Sequence, residues 1–338
     1  MPARARPVFP ELAYLRRFLL VFCAAASAAC LRGRLAAADG GTAPPPQPAE
    51  SLLLQPQGLL RGQAPAPLEA GAVRLAVIGD YGNGSPEEAA VAKLVLGWDP
   101  AAVITTGDNS YPDAGGDKLD RFVGAFYGAL PGAARGGAPE ATRRFWPTPG
   151  NHDWRFNGLQ AYLDYFRLPG NGRYYDALIA GGRVHLFALD SDTSEPDGTG
   201  PASAQARWLL PRLQASKGAC LNLVAFHHPP WSSGEHGGAA ALRWPFRAWG
   251  ANAVVSGHDH TYERLEVDGL PYFVTGLGGA HSYAFNQPLP ETKVRWNQRH
   301  GALLITVGSA VTTYEFWTWA GERVDRLEVA RPCPPPAP

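Results

Sequence analysis

Five short clusters in this sequence gather side chains that can hold metal ions. They are Gly79-Asp80-Tyr81-Gly82, Gly107-Asp108-Asn109-Ser110-Tyr111, Gly150-Asn151-His152-Asp153, Phe226-His227-His228-Pro229 and Gly257-His258-Asp259-His260. Taken one at a time, each has an ordinary explanation. A Gly-Asp after a strand is a common turn, and a lone His-x-His pair recurs by coincidence. Together they supply two Asp, one Asn, one Tyr and three or more His, an oxygen and nitrogen donor set suited to two hard or borderline cations.

Each cluster follows a segment that reads as a strand, the arrangement expected when loops beyond strand ends converge on one site. Arg74 to Asp80 and Ala102 to Asp108 are short apolar runs ending in Gly-Asp, and Pro86 to Trp98 between them has helical spacing, which makes a β-α-β unit. Further strands are expected at Arg144 to Pro149, Arg183 to Leu189, Leu221 to Phe226 and Ala253 to Ser256, with helices at Lys118 to Leu130, Ser203 to Ala215 and Ala239 to Trp249. From Glu263 to Val329 the chain reads as strands between Gly turns, clearest at Tyr272-Phe273-Val274 and Ala302 to Val307, and no internal repeat is present. The fold class is α/β (α+β), with two packed sheets and helices outside.

Composition narrows the function. Of the 338 residues, Lys+Arg and Asp+Glu number 30 each, but residues 1–38 hold six Arg and one acid, so the rest has 24 bases against 29 acids. That balance argues against nucleic-acid binding. No apolar run reaches the roughly 18 residues of a membrane span. Arg16-Arg17, the apolar run Phe18 to Ala29 and small residues at Ala24, Ala26, Ala28 and Ala29 give residues 1–38 the form of an export signal, loosely resembling twin-arginine and lipoprotein signals, with an uncleaved extension as the alternative. The expected destination is secreted, periplasmic or cell-surface. A Pro-rich linker at 39–71, a catalytic domain at 72–330 and a Pro-rich tail at 331–338 complete the expected layout. Cys220 and Cys333 would remain after cleavage, either as one disulfide or as two free thiols.

The ordered clusters resemble the calcineurin-like metallophosphoesterases, from about Arg74 to Gly276 and more weakly to about Val329. Within that superfamily the chain looks most like the purple, tartrate-resistant type of acid phosphatase. Many members carry D-x-H first and use its His as a ligand, whereas this chain has Gly82 there and a Tyr at 111, three residues after Asp108. The resemblance implies a four-layer sandwich and a dinuclear centre. Asp80, Asp108, Tyr111 and His260 would bind a first metal, Fe3+, because a phenolate favours a trivalent ion. Asp108 would bridge to a second, Fe2+, Zn2+ or Mn2+, held by Asn151, His227 and His258. The implied reaction is attack of a metal-bound hydroxide on a phosphate monoester. His152 and His236 would contact the phosphate and protonate the leaving group, Asp153 would orient His152, and His228 would be pocket wall.

The remaining features read more plainly. Asp190-Ser191-Asp192 and Glu195 are expected as solvated turn residues, His281 and Tyr283 as pocket rim, Trp231, Trp244, Trp249 and Trp296 as packing, and Arg264 as an ion-pair partner. Loops 113–142 and 191–202 would set substrate choice. A phosphodiesterase or nucleotidase on the same metal core, and a non-catalytic metal-binding interaction module on the same fold, are the alternatives. Oligomeric state is not legible.

Overall fold

Residues 73–78, V-R-L-A-V-I, form a strand whose two faces are both apolar, because each packs against a different layer. Leu75 and Val77 point into a core shared with Ile104, Leu223, Val255 and Ile305, while Ala76 and Ile78 point the other way onto Val91 and Val95 of the helix Pro86–Gly97. The same two-residue alternation repeats through the central strands.

The computed structural model describes residues 60–61, 64–331 and 333. The export signal at 1–38, most of the Pro-rich stretch 39–71, Cys23, Cys30 and most of the tail lie outside the described residues. Two mixed sheets are formed. The first runs in the order β1 (Leu60–Arg61), β14 (Glu322–Ala330), β13 (Val311–Thr318), β12 (Gly301–Val307), β2 (Val73–Ile78), β3 (Ala102–Thr105), β4 (Phe145–Trp146). The second is β11 (Thr292–Trp296), β9 (Tyr262–Val267), β10 (Leu270–Thr275), β8 (Ala253–Ser256), β7 (Leu221–Ala225), β6 (Val184–Ala188), β5 (Tyr175–Ile179). β2, β3 and β4 are parallel, as are β6, β7, β8 and β10. Outside the second sheet, Leu209 and Leu213 of the helix Ala204–Ala215 cover Val224 and Val254. Both long helices begin on a Ser cap, with Ser85 and Ser203 accepting the N–H of Glu88 and Ala206 at 3.0 Å. Helix, sheet, sheet, helix is the four-layer arrangement expected.

Several elements differ from expectation. The chain joins the first sheet before Ala72, because β14 leaves its edge open at Glu322 and Arg323 and the backbone of Leu60–Arg61 fills it. The helix expected at 239–249 is only the turn Ala240–Leu242 and the turn Phe246–Trp249, since Pro245 cannot donate within a helix and Gly250 ends the second turn at φ +112°. The helix expected at 118–130 runs from Lys118 to Tyr127 and passes through a π-turn at Asp120–Gly124. The helix Gln160–Phe166 and strand β5 were not anticipated, although β5 alternates buried Tyr175, Ala177 and Ile179 with outward Asp176 and Leu178 before a Gly181-Gly182 turn. Cys220 and Cys333 are paired as a disulfide with Cα atoms 4.5 Å apart.

One polar bridge crosses between the sheets. Asp325 of β14 accepts from Tyr262 Oη at 2.7 Å and from Arg264 Nε and a terminal nitrogen at 2.6 and 3.1 Å, both on β9. Arg264 is therefore an ion-pair partner, as expected. Removing one member of a buried pair strands the other. Asp325→Ala should lower the unfolding free energy by about 3–5 kcal/mol in urea titration, with Arg264→Met/Asp325→Leu recovering most of it; a single-variant loss near zero would remove the bridge from any structural role.

Candidate metal centre

The carboxyl ends of β2, β3 and β4 in one sheet and of β7 and β8 in the other open on the same edge of the sandwich, and the five clusters sit there. Backbone bonds lock the loops together across the two sheets: His258 N–H donates to both Asp80 carboxylate oxygens at 3.1 and 3.0 Å, and Ala280 N–H to the Asp80 carbonyl at 2.9 Å. Asp80, Asp108 and His258 hold left-handed backbone, at φ +57°, +51° and +68°. Residues with side chains rarely adopt this region, and Asp and His are among those that tolerate it. Strain at three positions of one loop cluster is the pattern of a functional site.

Two glycines make the approach possible. At Gly107, φ is +91° and a Cβ would lie 2.7 Å from the His227 ring. At Gly82 a Cβ would overlap the Asn109 carbonyl, while the Gly82 carbonyl accepts from Tyr111 N–H at 2.6 Å. A side chain at 82 would push away the turn that delivers Tyr111. Glycine at 82 and tyrosine at 111 are therefore one steric solution rather than two coincidences.

The donors fall into two groups. Tyr111 Oη lies 3.1 Å from His260 Nε2 and 3.3 Å from Asp80 Oδ1, and His260 Nε2 lies 3.4 Å from the same oxygen. His227 Nε2 lies 3.0 Å from Asn151 Oδ1, 3.2 Å from His258 Nδ1 and 3.4 Å from Asp108 Oδ1. The Asp108 carboxylate also acts on the Tyr111 phenol, so it stands between the groups. Donors about 2.0–2.2 Å from an ion are separated from one another by about 3.0–3.4 Å, the spacing observed in both groups. The far ring nitrogens are satisfied by backbone: His227 Nδ1 meets the Thr106 carbonyl at 2.8 Å and His260 Nδ1 the His281 carbonyl at 2.7 Å. Each Nε2 is thereby turned inward as an electron-pair donor. Among the described residues, Asp80-Asp108-His227 and His227-His228-His258 satisfy the geometric requirement for holding an ion.

The electrostatics of these groups favour a bound cation. Burial first, then Asp80 and Asp153, push the Asp108 carboxyl well above its usual range. Burial and then Asp108 and Asp80 do the same to the Tyr111 phenol. His258 is pushed down to about 2 by burial and then by His227 and His228, so its imidazole is neutral. Burial opposes charging of His260, but the hydrogen bond and charge of Asp80 outweigh it and raise its pKa. A cation would reverse the first two effects and is favoured by the neutral imidazoles.

His152 and His236 flank this centre. His152 Nε2 is 3.8 Å from Asp108 Oδ2, and the His236 ring stacks on His258 at 4.5 Å. Asp153 does not orient His152, contrary to expectation. It sits in the first turn of the helix Asn151–Trp154 and turns inward, accepting from Gly150 N–H at 2.8 Å and from Asn109 N–H and Nδ2 at 3.2 and 2.9 Å. The Nδ1 of His152 meets the Pro112 carbonyl instead, at 2.8 Å. Asp190, Asp192 and Glu195 are buried rather than solvated, tied to Trp154 and Arg173. His228 bonds Ser191 at 3.0 Å and forms wall beside His258. Tyr283 lies flat on His260 at 4.0 Å, and Trp244 and Trp296 are packing.

Two residues that position the site were missed. Asn109 joins three clusters, accepting from Tyr81 Oη at 2.8 Å and donating to Thr148 and Asp153. Glu88 accepts from Asn83 and Gly84 N–H at 3.0 and 2.6 Å and pins the loop after Asp80. The Ser85-x-x-Glu88 spacing of a helix capping box was the available signal.

The family model for calcineurin-like phosphoesterases matches residues 73–262. The chain belongs to this family. Among curated calcineurin-like relatives, tartrate-resistant acid phosphatase type 5 from Mus musculus is 27% identical over 257 residues, covering 65% of this chain and 75% of that protein. The Homo sapiens protein is 25% identical over 246 residues, 61% of this chain and 73% of that one. The fold is shared with purple acid phosphatase PPD1 from yellow lupin seeds, at TM-score 0.64 and 16% identity over 79% of this chain and 55% of that one. It is also shared with GAP50, the anchor in the inner membrane complex of Plasmodium, at TM-score 0.61 and 16% identity over 77% of this chain and 89% of that one.

Burial holds the Glu88 carboxyl up at about 8, against the two backbone N–H bonds that lower it. A carboxyl raised on folding contributes stability that is complete below its unfolded pKa and is lost as pH rises through the folded value. Glu88→Gln, which keeps the acceptor and removes the charge, should therefore be more stable than the parent above about pH 4.5, by roughly 1.4 kcal/mol per pH unit up to about 8. Denaturant titrations across that window read the difference, and a pH-independent gap would discard the argument.

Proposed function

We propose that this chain is an exported phosphoric monoester hydrolase of the purple acid phosphatase kind, working with a dinuclear metal centre. The domain of residues 72–330 would carry the activity and residues 1–38 the export signal. The observation that carries the reading is the pair of donor groups joined by the Asp108 carboxylate: Asp80, Tyr111 and His260 on one side, Asn151, His227 and His258 on the other. Tyr111 supports Fe3+ in the first position, and the neutral Asn and His donors suit Fe2+, Zn2+ or Mn2+ in the second. Bound there, the two cations would activate a water at neutral pH and neutralise charge on a phosphate.

The chain's own residues supply the rest. His152 lies beside Asp108 and His236 over His258. From there an imidazole can bind a phosphoryl oxygen and pass a proton to a leaving alkoxide. Glu88, Asn109 and Asp153 hold the loops still, so that little reorganisation is required as charge develops.

A non-catalytic anchor on this fold is the second reading, favoured by the likeness to GAP50. The complete donor set with His152 beside it supports the catalytic one. The deciding assay is turnover of an aryl phosphate monoester against the matching diester from acid to alkaline pH, with the full chain loaded with iron plus zinc or manganese. Monoester preference supports the proposal, diester preference moves it to phosphodiesterase, and no turnover with two metals bound leaves the anchor. His152→Ala should lower kcat by about a hundredfold or more. Independently of activity, a ferric phenolate gives visible charge-transfer absorption. Tyr111→Phe should bleach it while Asp108→Ala should abolish binding of the metal pair by elemental analysis, and an iron-loaded parent without colour would count against Tyr111 as ligand.

A further inference from the structure

We propose that a cavity at the opposite end of the second sheet from the metal centre binds an amphipathic acid, an apolar chain ending in a carboxylate, as in a fatty acid. The cavity shares no residue with the metal centre, so the proposal does not rest on the hydrolase reading. Its volume is about 820 Å³, within the range of about 300–1,000 Å³ of small-molecule sites. The walls are the edge hairpin β5–β6, the end of the helix Ala204–Ala215 with the turn after it, and the disulfide Cys220–Cys333. Cys220 precedes β7 and His227 follows it, so at about 3.3 Å per residue the two sites lie about 20 Å apart along one strand.

Charge in the cavity is unbalanced. Arg183, His185, Arg212 and Lys217 line it against a single acid, Asp176. That acid is met by His185 Nε2 at 2.9 Å and by Arg212 Nε at 3.3 Å, and the His185 bond above all holds its carboxyl below the usual range. The order Asp176–His185–Ser216 has the outline of a nucleophile triad, but the hydrogens are placed otherwise. The Asn222 amide nitrogen donates to the carbonyls of Ser216 and Gly250, both at 3.0 Å, which leaves its oxygen to accept the Ser216 hydroxyl at 2.7 Å. Ser216 has then spent its hydrogen and accepts from His185 Nδ1 at 2.7 Å. With both ring nitrogens donating, His185 is an imidazolium, and Asp176 balances one of the four cations. Arg183 gives one terminal nitrogen to the Gly308 carbonyl at 3.0 Å, while its buried Nε has no partner among the described residues. Neither Arg183 nor Lys217 meets a carboxylate among those residues. The carboxyl end of the helix Ala204–Ala215 offers only a fractional negative charge against them.

The rest of the wall is apolar. Leu178, 59% exposed, enters it from β5, with Ala215, Ala219 and the disulfide around it. Gly181 and Gly182 turn the hairpin at φ +67° and +80° and put no side chain across the mouth. An apolar chain covers Leu178 and is stabilised by the area it removes from water, while a carboxylate at its end meets a guanidinium and an ammonium. A concave site of this size suits a small molecule rather than a flat membrane surface.

Calorimetry on the full chain tests this with octanoate, decanoate and dodecanoate below their micelle-forming concentrations, and dodecyltrimethylammonium as the cation of matched length. Affinity should rise about tenfold for every two methylenes, and the cation should bind at least tenfold more weakly than dodecanoate. Lys217→Gln should weaken dodecanoate by about tenfold and Arg183→Gln/Lys217→Gln by about a hundredfold. Leu178→Ser should weaken it by about fivefold. Lys217 and Leu178 are exposed, so these two variants should melt with the parent. Chelation of bound metal should leave the affinity unchanged. Failure of the parent to bind dodecanoate, equal binding of the cation, no response to Lys217→Gln and Leu178→Ser, or loss of binding on chelation would each overturn the site.

Discussion

Asp108 is buried beside Asp80 and Asp153, and no Lys or Arg among the described residues reaches it. Charge in that position is strongly unfavourable unless a cation is supplied. A fold stabilised by apolar burial would ordinarily replace such a residue. Here the surrounding loops instead aim further donors at the same point. The Asp108 carboxylate accepts His152 N–H at 2.9 Å, while the Tyr111 hydroxyl and the His227 ring lie on its two sides. The requirement for positive charge at one spot accounts for both the composition of the five loops and their shared edge.

The sandwich meets that requirement with rigid parts. Parallel strands from both sheets end at the same edge, and each candidate ligand follows its strand within a few residues. The left-handed backbone at Asp80, Asp108 and His258 reverses the chain at once and keeps the side chains close to the strand ends. Cross-sheet bonds, His258 N–H to Asp80 and His227 Nδ1 to the Thr106 carbonyl, make the separation of the sheets and the geometry of the centre one variable. The Tyr262–Asp325–Arg264 bridge joins the same two sheets through β9 and β14. Packing and site are thus mechanically coupled.

The order of the clusters and their position after apolar runs were legible because both depend on local pattern. Parallel strands buried on two faces are continuous apolar runs, and loops that carry ligands are short and polar. The family likeness and the four layers followed from those. What was not legible depended on contacts distant in sequence. Asp153 next to His152 reads as its partner, yet its place in the first turn of a helix directs it to Gly150 and Asn109. The acidic run at 190–195 reads as solvated, yet Trp154 and Arg173, from other segments, bury it. The apparent helix at 239–249 had its own warning in Pro245, which apolar spacing outweighed.

The charges of the donors argue for unlike ions in the proposed centre. On one side Asp80 and, once ionised, Tyr111 are anionic; on the other, Asn151, His227 and His258 are neutral, with His258 held neutral far below physiological pH. Asp108 serves both. The phenol ionises only if the adjacent cation offsets both its burial and the repulsion of two carboxylates, which a trivalent ion does better than a divalent one. A trivalent ion on the neutral side would lack anions to balance it. Gly82 enters this argument directly: by admitting the turn that brings Tyr111 in, it replaces a neutral imidazole of other superfamily members with an ionisable oxygen. Under the proposed reading, a single missing side chain would favour a mixed-valence or mixed-metal pair over two identical divalent ions.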